Sequence, residues 1–188
     1  MSRKPRVLLL PNVTYWILGS IAKHIISVLG DDFDFYLFPE SLSTRRPDLL
    51  RTLLNNVDIV HALSESSARC IVNIAPDLHK PLITWIHHVT EWSEPHQIAL
   101  KHSQVLVAST LRWAEKIREF GGDSVPIKVI RYGVDPTRFH RTSSKRRFFG
   151  IPEEAFVLGF VGSMSSNLDG NRKGLDILLT LLERLQSS

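Results

Sequence analysis

The chain has 188 residues, of which 43% are hydrophobic and 22% charged, and its formal net charge is +4. This length suits one ordinary domain plus part of another, and the hydrophobic fraction excludes a disordered chain. The positive charge favours anionic partners such as phosphates, nucleic acid or an acidic membrane surface, and does not choose among them.

The sequence also bears on the compartment. The single cysteine, Cys70, excludes an internal disulfide and fits a reducing environment. The start, MSRKPRVLLLPNV, has too short an apolar run for a signal peptide, and no run approaches the roughly 20 apolar residues of a membrane helix. We therefore expect a cytoplasmic protein. Peripheral membrane contact stays open, since TYWILGSIAKHI carries aromatic residues but only one lysine.

Six short apolar runs predict β-strands. The first, RVLLL at 6–10, is continuous, as expected of a strand buried on both faces. The second, DFDFYLF at 32–38, alternates as an outer strand does. The remaining four runs begin at Val57, Pro81, Gln104 and Ile127.

Helical segments lie between these runs. The first is predicted to start near Ser20 and to place Ile21, Ile25 and Val28 on one stripe, and the second to start at Pro47, a favourable first helical position. Two more follow at 65–74 and 93–102. Regular alternation of strand and helix predicts an α/β fold with a doubly wound parallel sheet.

A fifth helix, TLRWAEKIREFGG, precedes the last of the six strands. Its spacing directs Leu111, Ala114, Ile117 and Phe120 inward, and Gly121 is expected to end it in a left-handed conformation.

After a polar, basic stretch the pattern restarts. AFVLGFVGS at 155–163 predicts a buried strand, and LDILLTLLERL at 175–185 an amphipathic helix. One strand and one helix cannot bury their own faces, so we expect them to open a second, truncated α/β domain. The predicted organisation is a first domain over 1–140, a basic connector over 141–150 and this strand–helix unit over 151–188.

Four segments in this order resemble the retaining GT-B glycosyltransferases of group 1, called family 4: ILGSIAKH, TWIHH, VIRYGVDPTRF and LGFVGSM…RKGLDILL. The resemblance implies two Rossmann-like domains facing each other across a cleft. The first would hold mostly the acceptor and the second mostly the sugar nucleotide. The chain would be the N-terminal half of an enzyme that transfers a hexose-type sugar, expected to be inactive alone. The alternative is a degenerate, non-catalytic GT-B module used for binding or self-association.

The resemblance assigns four residues to the donor phosphates: Gly19, Ser20, Arg172 and Lys173. The family has a Gly-Gly pair where the first helix begins, which lets the backbone and the helix N–H groups approach the diphosphate. Gly19 matches the first glycine, and Ser20 replaces the second and is expected to cap the helix. Lys173 matches the family's lysine. Ser163 stands where the family has arginine, and Arg172 is the candidate substitute.

A histidine after the fourth strand is the candidate catalytic residue. His87 matches the family's histidine by position, and His88 is the alternative. The carboxyl ends of parallel strands face the ligand crevice, so we expect His87 to position the reacting sugar by hydrogen bonds, with acid–base catalysis as a further option. Asn12, Tyr132 and His88 are assigned to the acceptor side of the cleft, and Tyr132 replaces the family's asparagine.

The residues after Tyr132 are expected to be architectural. Gly133 would permit a sharp turn, Asp135 would fold back as an Asx turn, and Phe139 would anchor the exit segment.

The expected small-molecule partners are a nucleotide-sugar donor and a saccharide or lipid-linked acceptor. No His/Cys cluster with metal spacing occurs, and neither a metal nor another cofactor is expected. A nicotinamide oxidoreductase is disfavoured because no G-x-G-x-x-G turn follows a strand.

The expected macromolecular contacts are few. The basic residues of 138–147 would meet an anionic acceptor or form a solvated hinge. Nucleic acid is not expected, since no aromatic–basic sheet signature occurs. The apolar segments of 151–188 predict a homodimer or a swapped association.

Overall fold

The computed structural model describes residues 3–161 and 174–186, and the chain divides into two compact units, Met1–Val134 and Asp135–Ser188. The described strands of the first unit are β1 Arg6–Leu10, β2 Asp34–Leu37, β3 Ile59–Ala62, β4 Leu82–Ile86, β5 Val105–Ala108 and β6 Ile127–Val129. Its described helices are α1 Ile17–Leu29, α2 Pro47–Asn56, α3 Glu65–Ile74, α4 Glu94–His102 and α5 Leu111–Glu119, with short 3₁₀ turns at Glu40–Leu42 and Gly122–Ser124. The second unit contains α6 Leu175–Gln186.

The six strands form one parallel sheet in the order β2-β1-β3-β4-β5-β6. This confirms the predicted doubly wound sheet. Four of the five residues of β1 are buried, as its continuous apolar run predicts. β2 lies at the edge and alternates between exposed and half-buried residues.

Right-handed crossovers decide which face each helix covers. The chain moves in one direction from β1 to β2 and in the other from β2 onward, so α1 lies on one face and α2 to α5 on the opposite face. Two core clusters reflect this division. Leu18 and Ala22 of α1 pack with Leu9 and Trp85, whereas α2 to α5 pack on the cluster around Leu8 and its neighbours.

Local signals account for several helix ends. Pro47 is the first residue of α2, and the Oγ of Ser64 accepts the backbone N–H of Ser67 (3.1 Å) at the start of α3. Gly121 follows α5 with φ of +96°, the left-handed conformation that the sequence predicts.

The start of α1 differs from the prediction. The helix begins at Ile17, so Gly19 lies in its first turn, and the exposed Ser20 donates its backbone N–H to the Trp16 carbonyl (2.9 Å). Ser20 therefore does not cap the helix. The reason is the close approach of the preceding loop, because a Cβ on Gly19 would lie 2.4 Å from the backbone of Thr14.

Two predicted apolar stripes are half right. On α1, Val28 is 62% exposed, although Ile21 and Ile25 pack at the edge of the core. On α5, Ala114 and Ile117 are buried, whereas Leu111 and Phe120 are 57% and 41% exposed. Phe120 stacks on Trp92, with ring centroids 4.6 Å apart, instead of entering the core.

The stretch around the unit boundary is also partly as predicted. The Oδ1 of Asp135 accepts the backbone N–H of Thr137 (2.9 Å), which confirms the Asx turn. Phe139 is 66% exposed and does not anchor the segment within the described residues. Gly133 has no left-handed φ and open space around its α-carbon, so its turn does not require glycine.

The strand predicted at 155–163 is not formed in its described part, 155–161. Phe156 and Val161 are 87% and 97% exposed, and no described strand lies beside them to accept a ladder of hydrogen bonds. In the basic stretch, Arg146 donates to the carbonyls of Pro152 (2.9 Å) and Ala155 (2.8 Å), so this arginine is structural. The helix predicted at 175–185 is present as α6.

A search of the described helices finds none that combines the length and the apolar character needed to cross a bilayer.

Close packing at Gly19 gives a testable consequence. In an open helix, replacing glycine by alanine raises the free energy of unfolding by about 1 kcal/mol. At Gly19 the clash with Thr14 should instead lower the free energy of unfolding, by roughly 1–3 kcal/mol. Urea denaturation of Gly19→Ala measures this, and Gly133→Ala, which meets no atom within 4 Å, is the matched control. Equal stability of the two variants would show that the loop does not press on α1.

Candidate functional site

The candidate site lies at the carboxyl edge of the sheet. The reversal of chain direction falls between β1 and β3, and in open α/β sheets such a switch point opens a crevice at the strand ends. His87 follows β4 directly at this edge and is half-buried.

Both ring nitrogens of His87 are hydrogen-bonded. Nε2 lies 2.7 Å from the carbonyl oxygen of Leu63, and Nδ1 contacts the hydroxyl of Tyr132. A carbonyl oxygen can only accept, so Nε2 carries the proton, and Nδ1 then accepts the proton of the tyrosine hydroxyl. The hydroxyl of Ser109 donates to the backbone carbonyl of His87 (2.6 Å) and holds its main chain.

The electrostatic surroundings favour the neutral form of this imidazole. Burial lowers the pKa of His87, and the Leu63 carbonyl and the carboxylate of Glu65 oppose the shift. A neutral imidazole at physiological pH is suited to accepting and donating single hydrogen bonds rather than to holding an anion.

Four aromatic rings form a stack on the α1 face of the sheet. The ring centroids of Trp85 lie 5.2 Å from His87 and 6.0 Å from Tyr132, and those of His87 and Tyr132 are 5.8 Å apart, all within 28° of parallel. His61 of β3 lies below, 6.3 Å from Trp85 and inclined by 12°. Alternation along β4 puts Trp85 and His87 on one face.

The lower part of the stack contains buried polar atoms. Nε2 of His61 and Nε1 of Trp85 have no hydrogen-bond partner within residues 3–161 and 174–186. Burial lowers the pKa of His61 to about 4, and the neighbouring His87 adds to the shift. His61 therefore stays uncharged beneath the site.

Tyr132 reaches His87 from the segment that leaves β6. The last backbone hydrogen bond of this edge is from Ile130 N–H to the Ala108 carbonyl (3.0 Å), and the first unit ends at Val134. Tyr132 is 54% exposed. Burial raises the pKa of its hydroxyl, against the opposing effect of Ser109, so it remains a donor at neutral pH.

The other predicted residues of the first unit also lie near this edge. Asn12 and His88 are exposed, in the loops after β1 and β4, and the Oδ1 of Asn12 accepts the backbone N–H of Val13 (2.7 Å). Gly19 is buried in the first turn of α1, next to the exposed Ser20. The remaining predicted residues, Ser163, Arg172 and Lys173, lie outside the described residues.

Three participants were missed by the sequence analysis: His61, Trp85 and the carbonyl of Leu63. The alternation of Trp85 and His87 in TWIHH predicts their common face, but nothing local connects them to His61, twenty-four residues before Trp85. Neighbouring strands, β3 and β4, bring the two rings together.

The site is an open edge. Two grooves, of about 450 and 470 Å³, lie on the side of α2 and α3, and neither is lined by His87 or Tyr132. No group of three or more potential metal-binding side chains occurs in the part of the chain that the structure describes.

Comparison with known proteins identifies the fold. No protein-family model matches the chain, and no curated protein matches it either. The solved structure of HepE from Anabaena in complex with UDP-glucose is similar at a TM-score of 0.56 and 13% identity, covering 77% of this chain and 50% of HepE. The HepE complex with UDP and glucose gives a TM-score of 0.55 at 14% identity, covering 78% and 50%. Sucrose-phosphate synthase from Thermosynechococcus elongatus gives a TM-score of 0.52 at 9% identity, covering 69% of this chain and 90% of the synthase chain.

The chain has a GT-B-type α/β fold. The predicted fold class is confirmed by the sheet topology and by these neighbours. The chain spans half the length of the HepE chain that it matches. At identities this low the similarity concerns the fold, and membership of family 4 and a retaining reaction stay predictions.

Protonation of His61 should couple stability to pH. The unfolded chain binds this proton near pH 6.5 and the folded chain only near pH 4. The contribution of neutral His61 to the unfolding free energy is therefore fully present above pH 6.5. It is lost as the pH drops toward 4, which lowers the unfolding free energy by roughly 2–3 kcal/mol. Urea denaturation at pH 7 and at pH 4.5 gives the difference in unfolding free energy between the two pH values. This difference should be smaller in His61→Phe than in the parent chain, and unchanged in His79→Gln, which alters an exposed histidine. An unchanged difference in His61→Phe would contradict the assignment.

The hydrogen bond of Tyr132 can be tested by NMR. Tyr132→Phe keeps the ring stack but removes the donor to Nδ1 of His87. We expect the Nδ1 ¹⁵N resonance to shift while the proton stays on Nε2, because the Leu63 carbonyl still accepts it. Tyr36→Phe, at an exposed tyrosine of the edge strand β2, is the control. Transfer of the proton to Nδ1 in Tyr132→Phe would show that Tyr132, and not Leu63, sets the tautomer.

Proposed function

We propose that this chain is the acceptor-side part of a glycosyltransferase that uses a sugar nucleotide, with His87 positioning the transferred sugar. The observation that carries the proposal is the imidazole of His87, oriented by Leu63 and Tyr132 at the carboxyl edge of a GT-B-type sheet. A fixed, neutral imidazole at this edge suits recognition of a sugar hydroxyl, which both donates and accepts hydrogen bonds.

The hydroxyl of Tyr132 occupies the place that a sugar hydroxyl would take at Nδ1. Tyr132 is 54% exposed, so a sugar hydroxyl can compete with its hydroxyl for Nδ1. A sugar hydroxyl that replaces it would donate to Nδ1, while Nε2 remains bonded to Leu63. The bond to Leu63 keeps the imidazole oriented, which lowers the ordering cost of the binding step.

The start of α1 supports a diphosphate nearby. Helix α1 has no side-chain cap and no acidic residue in its first turn, so no side chain of that turn neutralises the positive end of its dipole. We propose that this terminus near Gly19 and Ser20 binds the donor diphosphate without a metal ion, and Arg172 and Lys173 stay predicted donor-phosphate residues.

The proposed reaction is a retaining transfer of a hexose. The bond from the anomeric carbon to the diphosphate oxygen breaks, the acceptor oxygen bonds to the same face of that carbon, and the acceptor proton passes to the departing phosphate. Negative charge grows on the diphosphate, so groups that hold it there lower the barrier. Neighbours solved with UDP-glucose, and with UDP and glucose, support a hexose nucleotide as donor.

A non-catalytic binding module is the second candidate. It is favoured by one observation: both ring nitrogens of His87 are already occupied by protein groups, which is the arrangement of a structural histidine.

Binding measurements separate these candidates. Calorimetry of the whole chain with UDP-, GDP- and ADP-glucose, with and without EDTA, identifies a donor. Removing one hydrogen bond to the sugar should make His87→Ala bind the preferred sugar nucleotide on the order of ten-fold more weakly, while binding of the free nucleoside diphosphate stays unchanged. His79→Ala, an exposed histidine that precedes β4 at the amino edge, is the control.

Each outcome decides a point. An equal loss for the sugar nucleotide and the free diphosphate would place His87 away from the sugar. Binding abolished by EDTA would contradict the metal-free proposal. If His87→Ala changes neither sugar-nucleotide nor saccharide binding, His87 is a structural histidine and the non-catalytic module is supported.

A further inference from the structure

The two ring nitrogens of His87 differ in what can reach them. Nε2 donates to the carbonyl of Leu63 (2.7 Å) in a partly buried contact. Nδ1 makes an exposed contact, and its partner there is the hydroxyl of Tyr132. Nδ1 is therefore the nitrogen that a ligand at the carboxyl edge of the sheet can reach, and Tyr132 already occupies it.

The unprotonated nitrogen of an imidazole has a single lone pair. A ligand hydroxyl and the phenol of Tyr132 therefore cannot both donate a full hydrogen bond to Nδ1 of His87. The two are exclusive alternatives, and a ligand that needs this nitrogen binds only after the phenol has left it. Tyr132 acts toward the imidazole as a ligand that the chain itself supplies.

Few contacts tie the segment that carries Tyr132 to the first unit. The last backbone hydrogen bond before this segment is from Ile130 N–H to the Ala108 carbonyl (3.0 Å), and residues 131–134 are all exposed. Val134 is 71% exposed. Separation of the phenol from the imidazole therefore breaks no backbone hydrogen bond of the described sheet.

The ring and the hydroxyl of Tyr132 have separate roles. The ring stacks on Trp85 and on His87, with centroids 6.0 and 5.8 Å apart and planes within 17° of parallel. Stacking holds the ring but places no donor at Nδ1, so the hydroxyl alone occupies that nitrogen. A substitution that removes only the phenolic oxygen should free Nδ1 and keep the stack.

We infer that the hydroxyl of Tyr132 is a self-inhibitory latch, which masks Nδ1 of His87 and weakens every ligand that must donate to this nitrogen. A hydrogen bond of ordinary net strength keeps such an equilibrium about five-fold in favour of the masked form. The apparent affinity falls by about the same factor, because only the open fraction binds. A contact that draws residues 131–134 away from the edge would switch the site on.

The masking itself is tested without a ligand, by acylation with diethyl pyrocarbonate at pH 7. The unprotonated nitrogen of a neutral imidazole attacks this reagent, and peptide mass spectrometry locates the product. His87 should react about five-fold faster in Tyr132→Phe than in the parent chain, because the phenol no longer engages the lone pair. The exposed His79 is the internal reference, and Tyr36→Phe, at an exposed tyrosine of β2, is the matched control.

The effect on binding is tested by calorimetry with UDP-, GDP- and ADP-glucose, and this part rests on the proposed function. Tyr132→Phe should bind the preferred sugar nucleotide about five-fold more tightly, a gain that loss of a merely structural tyrosine would not produce. Tyr132→Asn, whose side chain is too short to reach the imidazole, should show the same gain. Binding of the free nucleoside diphosphate should stay unchanged.

The outcomes separate the latch from the proposed function. An unchanged acylation rate of His87 in Tyr132→Phe overturns the latch, as does an equal rise in the rate of His79, which would indicate a general loosening of the chain. Weaker binding of the sugar nucleotide in Tyr132→Phe also overturns it. Faster acylation of His87 with no binding of any of the three sugar nucleotides supports the latch and counts against the transferase.

Discussion

Parallel strands joined by helices must all end at one edge of their sheet, and the imidazole site depends on this constraint. β1 and β4 are far apart in sequence, yet their exits lie on either side of β3. The right-handed crossover then adds a reversal of direction after β2, which opens the edge between β1 and β3. His87 and the loop of Trp16 lie on opposite sides of that opening. The chemistry comes from few residues, but the sheet topology brings them together.

The face of the sheet that carries α1 has a mixed character. Toward the core it is apolar, with Leu9, Leu18 and Val107 packed against one another. Toward the carboxyl edge the same face changes to rings with polar atoms, from His61 through Trp85 to His87. Unpaired buried nitrogens lower the stability of a core, so their retention below His87 is consistent with a functional demand on this column.

The sequence predicts most of the first unit because its signals are local. Continuous apolar runs identify the strands, Pro47 starts α2 and Gly121 ends α5. The same approach placed the start of α1 three residues late, since the contact between Thr14 and Gly19 is a matter of loop packing that no propensity encodes. The apolar residues of 155–163 predict a strand, but the described part, 155–161, forms none, because a strand exists only where another strand pairs with it.

In the candidate site, too, local signals predict some residues and the fold brings in the others. His87 was found by its place at a strand end, whereas its partners required the fold. The carbonyl of Leu63 carries no side-chain signature, and Tyr132 lies forty-five residues from His87. The place of Tyr132 just after the last strand predicts that it lines the cleft. Its hydrogen bond to the imidazole depends on how the fold brings the two residues together. Sequence patterns locate strand ends well and side-chain pairs across strands poorly.

The link between Tyr132 and His87 also has a mechanical side. Within 131–134 of the described chain, the tyrosine hydroxyl is the group that hydrogen-bonds to the rest of the first unit, and the second unit begins only three residues after it. The exit segment of the first unit is thus tied to the candidate site by the Tyr132 hydroxyl and by the contact of its ring with Trp85. A displacement of this segment would change the hydrogen bond at Nδ1 of His87.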